Sequence, residues 1–338
     1  MKTSSWFVRG VFAVAAFCVT GCIDRDMPGK SFQGEKSPLS ADERAMMERL
    51  KKTVQVLSVD IGRRHVGEYE NLQRAAAYLE KELAGLGYDV RSQRWTEEGK
   101  EVRNLEVTIV GTSHPSEIVM MGAHYDSART SPAADDNGTG DAAILELARD
   151  LKESKPDRTI RLVLFVNEEP PFFGSPRMGS YHYAREAKSR GDDLRAMIAL
   201  DSIGRFSDAP GSQHYPAIVA GKFPTTGNYI GFVSRNEDAA LVRQAIAGFR
   251  QHARIPSEGA AAPAMLEGVW YSDHWSFWQQ GYAAMMVTDT AFMRWPEYHT
   301  PGDTIEHVDF EALARVTAGL GDVMKALAVH SQRATNGK

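Results

Sequence analysis

The sequence contains very little cysteine. Of its 338 residues only two are cysteines, Cys18 and Cys22, and both lie near the N-terminus. The rest of the chain has no pair of thiols to oxidise. A fold held together by disulfide bonds is therefore excluded.

The sequence also lacks an excess of basic residues. Lys and Arg number 39 against 44 Asp and Glu, the formal net charge is -5, and the basic residues are scattered along the chain. This excludes nucleic acid as the expected partner. With 43% hydrophobic and 25% charged residues, the composition is typical of a globular protein. No feature indicates an obligate protein partner.

Only one long apolar run is present, "GVFAVAAFCV", and it follows Lys2 and Arg9. The run is too short to span a membrane comfortably and is typical of the hydrophobic region of a signal peptide. It ends in Val19-Thr20-Gly21-Cys22. This ending resembles the lipobox of bacterial lipoproteins, in which the cysteine is lipidated and becomes the mature N-terminus.

The lipobox resemblance implies that residues 1–21 are a lipoprotein signal peptide and that Cys22 carries a lipid. The protein would then belong to the cell envelope, anchored to a bacterial membrane without spanning it, with its domain in the periplasm or outside the cell. An ordinary secretory signal peptide with an incidental cysteine is the alternative. Residues 22–39 are polar and rich in Pro, Gly and Ser, which predicts a flexible tether.

A single folded domain is predicted over residues 40–338. The segment from Ser40 to Glu43 has the spacing of a capping box, so we expect the first helix to begin there. After a second helix, β-rich segments alternate with amphipathic helical segments, and several of the β-rich segments are almost continuously apolar. Such segments are typical of strands covered on both faces. The pattern predicts an α/β fold, a three-layer sandwich with a mixed, mostly parallel central sheet flanked by helices.

Two segments interrupt this alternation. Residues 205–235 are dense in Gly, Pro and aromatic residues, and residues 256–270 read "PSEGAAAPAMLEGVW". Both fall between predicted core elements rather than between domains. We therefore predict that they are long loops that shape a functional site.

Acidic and histidine residues follow the predicted strands in five loops. They are His124 with Asp126, Asp135 with Asp136, Glu168 with Glu169, Asp201, and His299, which follows Tyr298. Each loop alone has a structural alternative, such as a helix cap, a turn or a surface loop. In open α/β sheets, however, ligands bind in the loops beyond the C-terminal ends of the strands. We therefore expect these five loops to lie close together. Imidazoles and carboxylates without thiolates fit zinc.

The string "GTGDAA", residues 138–143, has the form GxGxxA and raises dinucleotide binding as another function. That fingerprint must directly follow a strand, whereas "SARTSPAADDN" intervenes here. The preceding aspartates would also face the pyrophosphate. The context therefore excludes this function.

The motifs "GAHYDS", "ADDNGTG", "NEE", "LDSIG" and "YHTPGD" occur in this order along nearly the whole predicted domain. Together they resemble the dizinc exopeptidases of clan MH, which include bacterial leucyl aminopeptidases and glutamate carboxypeptidase II. The resemblance implies a zinc-peptidase/phosphorylase-like fold, two zinc ions per chain, and hydrolysis of peptide substrates at their N-terminus. One departure lies after the two glutamates, where many relatives have a pattern like "xGLxGS" and this chain has "PPFFGSPRMGS".

The same resemblance implies a set of metal ligands. His124 and Asp201 bind one zinc ion, Glu169 and His299 bind the other, and Asp136 bridges the two. In relatives the peptide bond after the bridging acid is often cis, which here is Asp136-Asn137. None of the five ligand positions departs from the family pattern.

Three further residues carry roles by resemblance. Glu168 matches the general base, which takes a proton from water and passes it to the leaving amine. Asp126 matches the partner that orients His124. Tyr298 matches a hydrogen-bond donor to the substrate carbonyl.

Other functions remain open from the sequence. One is a glutaminyl-peptide cyclotransferase-like enzyme that uses a single zinc ion, another is a carboxypeptidase, and the third is a non-catalytic binding lipoprotein. Some of five aromatic residues in loops between the motifs are predicted to line a pocket for a bulky apolar side chain, with core and loop packing as the alternative for each. They are Phe172, Phe173, Trp275, Trp278 and Trp295.

Overall fold

The structure is a computed structural model that describes residues 23–330. The predicted signal peptide, the predicted lipidation site at Cys22 and residues 331–338 lie outside the described part. Among residues 23–330, no helix combines the length and the apolar character needed to cross a bilayer.

One eight-stranded sheet forms the middle layer of the molecule. Its strands are β1 (Arg91–Glu97), β2 (Lys100–Ile109), β3 (His114–His124), β4 (Arg158–Phe165), β5 (Asp193–Leu200), β6 (Ile230–Arg235), β7 (Ser257–Ala262) and β8 (Ala284–Thr288). They lie in the order β1-β2-β4-β3-β5-β8-β6-β7. The central strands β4, β3, β5 and β8 are parallel, whereas β1, β2 and β6 each pair antiparallel with a neighbour. The predicted mixed, mostly parallel sheet is confirmed.

Seven α-helices cover the two faces of this sheet within the described residues. They are α1 (Ala41–Gln55), α2 (Tyr69–Gly85), α3 (Gly138–Leu151), α4 (Gly179–Arg190), α5 (Ala239–His252), α6 (His274–Gln279) and α7 (Phe310–Ala328). Leu50, Ile144 and Leu320 belong to the larger core, while Tyr183 and Phe277 belong to a second core on the other face. Two cores on opposite faces of one sheet make the three-layer sandwich that was predicted.

Helix ends agree with the sequence signals. The side chain of Ser40 accepts a hydrogen bond from the Glu43 amide, and the Glu43 carboxylate accepts one from the Ser40 amide, so the predicted capping box is present. Asn137 caps α3 in the same way through the amide of Gly140. Helix α6 was not predicted, because six residues are too few to display a helical period.

The two segments predicted as loops each contain a strand. Strand β6 ends the first segment, and β7 lies within the second. The sequence of β7, "SEGAAA", has no β-branched or large apolar residue, so it carries none of the usual strand signals. Its pairing with β6 is therefore decided by tertiary contacts rather than by local propensity.

The segment predicted as a flexible tether also differs from the prediction. Asp24 and Ala261 form an isolated antiparallel bridge, with backbone hydrogen bonds of 2.7 and 2.9 Å. The amide of Ser257 donates to the hydroxyl of Ser31 at 2.9 Å, and Met27 packs against the larger core. Residues 23–31 therefore lie along β7 instead of extending away from the domain.

The capping box yields a stability prediction. Replacing Ser40 by Ala removes the acceptor for the Glu43 amide, so the free energy of unfolding should fall by about 1 kcal/mol. Urea denaturation followed by circular dichroism measures this change. The matched control is Ser37→Ala, at an exposed position shortly before the cap, and it should leave the stability unchanged. Equal stability of both variants would contradict the capping role.

Candidate metal centre

The predicted site residues meet at one edge of the sheet. His124 is the last residue of β3, Glu168 and Glu169 follow β4, and Asp201 follows β5. Because β4, β3 and β5 are adjacent and parallel, their C-terminal ends bring these side chains together. Asp136 precedes α3, and the loop after β8 delivers a histidine to the same edge.

Five side chains form two groups of three that share one member. The first group is His124, Asp136 and Asp201, and the second is Asp136, Glu169 and His299. In the first, His124 Nε2 lies 3.4 Å from Asp136 Oδ1 and 3.7 Å from Asp201 Oδ2. In the second, His299 Nε2 lies 3.0 Å from Asp136 Oδ2 and 3.2 Å from Glu169 Oε2. Asp136 thus presents one oxygen to each group, as a bridging ligand does.

The donor atoms fit zinc. Ligands placed tetrahedrally about 2.0 to 2.2 Å from one zinc ion lie about 3.3 to 3.6 Å from one another, close to the separations in both groups. His124 Nε2, Asp136 Oδ2 and both carboxylate oxygens of Glu169 are buried and accept or donate no well-aligned hydrogen bond among the described residues. Buried polar atoms without hydrogen-bond partners destabilise the folded state, and a cation bound by each group would supply the missing partner.

Asp126 lies behind this cluster and holds two glutamates in place. Its carboxylate oxygens accept hydrogen bonds from the amides of Glu168 and Glu169, at 3.0 and 3.1 Å. His124 Nδ1 lies 3.3 Å from the backbone carbonyl of Asp126 and 3.6 Å from its carboxylate. His124 Nδ1 therefore lies nearer to the backbone carbonyl of Asp126 than to its carboxylate, and the glutamate amides are the closer partners of the carboxylate.

Glu168 stands beside the two groups without belonging to either. Its Oε2 lies 3.9 Å from His124 Nε2, and the side chain is almost fully buried. Burial raises the pKa of Glu168 well above its ordinary value, and neighbouring acids such as Asp201 raise it further. Cations bound on the two groups would lower this pKa again, so the placement suits a proton acceptor that is not itself a metal ligand.

The electrostatics of the cluster favour positive charge. Burial alone would lower the pKa of both histidines, but the surrounding carboxylates raise the pKa of His124 well above its usual range and that of His299 to about 11. Burial raises the pKa of Glu169 to about 7, and the charge of Asp136 adds to the shift. Two bound divalent cations would supply this positive charge in place of the protons and leave the imidazoles neutral.

Residues 104–324 match the profile of Peptidase family M28. The chain belongs to peptidase family M28. It is 36% identical over 290 residues to the uncharacterized protein YfbL of Escherichia coli, covering 83% of this chain and 88% of that one. It is 30% identical over 225 residues to the aminopeptidase YwaD of Bacillus subtilis, covering 63% of this chain but only 42% of that protein. The predicted family and metallopeptidase class are confirmed.

Solved structures share the fold of this M28 chain. A zinc aminopeptidase from Bacillus subtilis superimposes with a TM-score of 0.65 at 16% identity, covering 86% of this chain and 96% of that one. A glutaminyl cyclase from Fimbriiglobus ruber superimposes with a TM-score of 0.59 at 19% identity, covering 87% and 98%. At these identities the similarity concerns the fold.

Backbone geometry at the M28 site is unusual at several positions. Asn167, Ser202 and His299 have positive φ angles of 60°, 51° and 60°, although none is glycine. Such conformations cost on the order of 1–3 kcal/mol each and tend to occur at functional sites. Here Asn167 precedes Glu168, Ser202 follows Asp201, and the third residue is His299 itself. The Asp136-Asn137 peptide bond is cis, as the resemblance implies.

Two side chains that the sequence analysis left without a role support the bridging acid. Asp303, the last residue of "YHTPGD", accepts hydrogen bonds from the amides of Asp135 and Asp136 at 2.8 and 3.1 Å. Arg64 is fully buried and donates to the carbonyls of Tyr125 and Ala133 at 2.7 and 3.0 Å. The sequence offered a signal for Asp303, because it belongs to the recognised motif "YHTPGD". Arg64 lies between two helices in sequence and had none.

Two more buried acids surround the site without a predicted role. Burial raises the pKa of Asp273 to about 7 and that of Asp141 well above its ordinary value. Their carboxylate oxygens accept no hydrogen bond among residues 23–330. Asp273 comes just before α6, which the sequence did not reveal, and Asp141 lies in the first turn of α3. Both add to the acidic surroundings of His124.

Tyr298 lies beside the metal groups on the open side. Its ring stacks on His299 with 3.8 Å between centroids, and it lines a cleft of about 280 Å³ together with Glu168 and Glu169. Burial and the nearby carboxylates raise the pKa of Tyr298 well above its ordinary value, so its hydroxyl remains a hydrogen-bond donor at neutral pH.

An apolar cavity of about 120 Å³ adjoins this cleft and reaches Asp201. The floor of the cavity comes from residues of β6, β7 and β8. Small residues among them, such as Gly231, Gly259 and Ala260, leave space above the sheet. Its aromatic wall consists of Tyr215, Phe223, Tyr229, Tyr271, Phe292 and Tyr298. Both segments predicted to shape the site contribute to this lining.

Of the five loop aromatics, some of which were predicted to line a pocket, one faces the cleft. Phe173 lines the cleft beside Glu168. Phe172, Trp278 and Trp295 are buried, with exposed fractions of 3%, 6% and 4%, and Trp275 packs against the second core. These four residues serve packing, which was the alternative. Spacing along the sequence does not distinguish a loop aromatic that faces the cleft from one that faces the core.

The support given by Asp303 can be tested through metal affinity. Asp303→Asn places an amide group against the backbone amides of Asp135 and Asp136, so zinc affinity should fall by about 10- to 100-fold while the fold is retained. Competition with a chromophoric chelator measures the affinity. Asp309→Asn, which alters the cap of α7, is the control and should leave zinc affinity unchanged. Equal affinities would show that Asp303 does not support the site.

Proposed function

We propose that this chain is a co-catalytic dizinc aminopeptidase. The observation that carries the proposal is the sharing of Asp136 between two metal-sized groups, with Glu168 beside both and bound to neither. Two zinc ions, when bound, would lower the pKa of water and polarise the substrate carbonyl. The residues present supply the remaining functions of the reaction.

Glu168 is the proposed general base. Its carboxylate takes a proton from the attacking water and passes it to the nitrogen of the leaving amine. Asp126 keeps the Glu168 backbone in position through the amide hydrogen bond of 3.0 Å. Tyr298 is the proposed hydrogen-bond donor to the substrate carbonyl, since its hydroxyl stays protonated and its ring lines the cleft.

The charges around the cleft favour an N-terminal over a C-terminal substrate end. The acidic residues that line the cleft and the adjoining cavity are Glu168, Glu169, Asp201, Glu258 and Glu267, and no Lys or Arg lines them among the described residues. Zinc ions on the metal groups would offset the charge of Glu169 and Asp201. Glu258 and Glu267 then remain to attract a free α-ammonium group and repel an α-carboxylate. This supports aminopeptidase over carboxypeptidase action.

The apolar cavity supports a preference for bulky apolar N-terminal residues. Its volume of about 120 Å³ is similar to that of a protein cavity of about 150 Å³ that binds benzene. Leucine and phenylalanine side chains are of this size. The cavity begins at Asp201, so a residue whose carbonyl lies at the metal groups can place its side chain in it.

The proposal is tested by separating metal binding from turnover. Wild type should hold two zinc ions per chain and hydrolyse leucine and phenylalanine anilides. Glu168→Gln should keep its zinc and lose activity by at least about 100-fold. Glu169→Ala removes a ligand and should lose zinc as well as activity. Metal analysis and anilide hydrolysis measure these effects.

Several outcomes would contradict the proposal. An unaffected Glu168→Gln variant, or a wild type without bound metal, would exclude the dizinc mechanism. Conversion of an N-terminal glutamine to pyroglutamate without hydrolysis would indicate a glutaminyl cyclase instead. Faster cleavage of acidic or basic N-terminal residues than of leucine or phenylalanine would exclude the apolar preference.

We also propose that a lipid on Cys22 anchors the domain to a membrane of the cell envelope. The support is the lipobox-like sequence Val19-Thr20-Gly21-Cys22 after a signal-like apolar run. Cys22→Ser should abolish labelling with radioactive fatty acid and release the protein from the membrane fraction. Cys18→Ser is the matched control and should stay labelled and membrane-bound. Release of both variants, or of neither, would contradict anchoring through Cys22.

A further inference from the structure

The segment that follows Cys22 lies at the apolar cavity. We call residues 23–31 the N-terminal segment. Strand β7 is the outermost strand of the sheet, and the N-terminal segment pairs with it through the two hydrogen bonds between Asp24 and Ala261. It thereby covers the edge of the sheet that carries half of the cavity floor.

The N-terminal segment is fixed on its other side by helix α5. Arg243 forms an ion pair with the carboxylate of Asp24 and donates to the carbonyl of Asp26 at 3.2 Å. Arg250, two turns further along α5, donates to the carbonyl of Pro28 at 3.0 Å. Held by β7 and α5 together, the segment has a defined position relative to the cavity.

Ile23 forms part of the cavity wall. Its side chain is half-buried, packs against the second core and lines the cavity together with Ala262 and Leu266. Because Ala262 is small, the bulk on this side of the cavity comes partly from Ile23. A residue from the extreme N-terminal end of the described chain thus closes a pocket otherwise built from residues 201–298.

Arg25 connects the N-terminal segment to the opposite wall. Its guanidinium group lies 5.5 Å from the ring centroid of Phe223 and donates to the carbonyl of Lys222. Val219 and Phe223 line the cavity from the same connection before β6, which contains no helix or strand. Cation–π contact and hydrogen bond together hold that connection against the cavity.

We propose that the N-terminal segment determines substrate specificity, with Ile23 setting the depth of the side-chain pocket and Arg25 fixing its aromatic wall. This inference rests on the proposed aminopeptidase function and names the part of the chain that selects the substrate. Residues 23–31, which are part of the stretch 22–39 predicted as a flexible tether, therefore act as a component of the binding site.

The test compares side-chain preference in variants of the N-terminal segment. Ile23→Phe shortens the pocket and should lower the ratio of kcat/KM for the phenylalanine anilide to that for the leucine anilide by about tenfold. Ile23→Ala deepens the pocket and should raise the same ratio. Arg25→Ala should raise KM for both substrates and leave KM for the alanine anilide unchanged. The control is Glu35→Ala, at an exposed position just outside the segment, and it should leave the ratio unchanged.

A second measurement separates this inference from the proposed function. Calorimetry with leucine amide and phenylalanine amide, on zinc-loaded Glu168→Gln protein carrying each Ile23 variant, measures pocket selectivity without turnover. Opposite shifts of the affinity ratio in Ile23→Phe and Ile23→Ala would support the role of Ile23 in the pocket. This holds even if wild type hydrolysed no anilide, because absent hydrolysis would contradict only the proposed function. Ratios within about twofold of the Glu168→Gln parent in both variants would overturn the inference.

Discussion

The two metal groups depend on a single carboxylate. Asp136 offers one oxygen to His124 and the other to His299, at 3.4 and 3.0 Å, and no other described residue belongs to both groups. Its position is set by backbone contacts rather than by its own side chain, because Asp303 accepts hydrogen bonds from its amide and from that of Asp135. Displacing this loop would separate the groups and remove the geometry on which co-catalysis depends.

Around that carboxylate the protein concentrates acids that would be unstable together in an apolar interior. Glu168, Glu169 and Asp273 are buried, and burial raises the pKa of each. Arg64, with no exposed surface, supplies positive charge behind the cluster, and its guanidinium is held by backbone carbonyls. The remaining negative charge faces the cleft. This charge attracts divalent cations, and acids outside the metal groups, such as Glu258 and Glu267, remain to attract the ammonium group of the proposed substrate.

Specificity is built separately, from the side of the sheet beyond β8. There β6 runs antiparallel to β8 and β7 runs parallel to β6, so their small residues form a floor beside the metal groups instead of contributing ligands. The connection before β6 and the N-terminal segment complete the walls. Catalytic groups thus come from the ends of parallel strands, while the proposed selection of side chains comes from a sheet edge that the chain covers with its own N-terminal segment.

The α/β class and the start of the first helix could be predicted from the sequence, because apolar runs and the capping signal at Ser40 are local patterns. Motifs such as "GAHYDS" likewise singled out the residues that the fold brings together in two metal-sized groups. The contacts of Asp303 and Arg64, the strand β7 and the position of residues 23–31 are established only when the chain folds. Those features depend on contacts between distant parts of the chain, as in the pairing of Asp24 with Ala261. Such pairing leaves no local signal, since "SEGAAA" forms a strand through its neighbours.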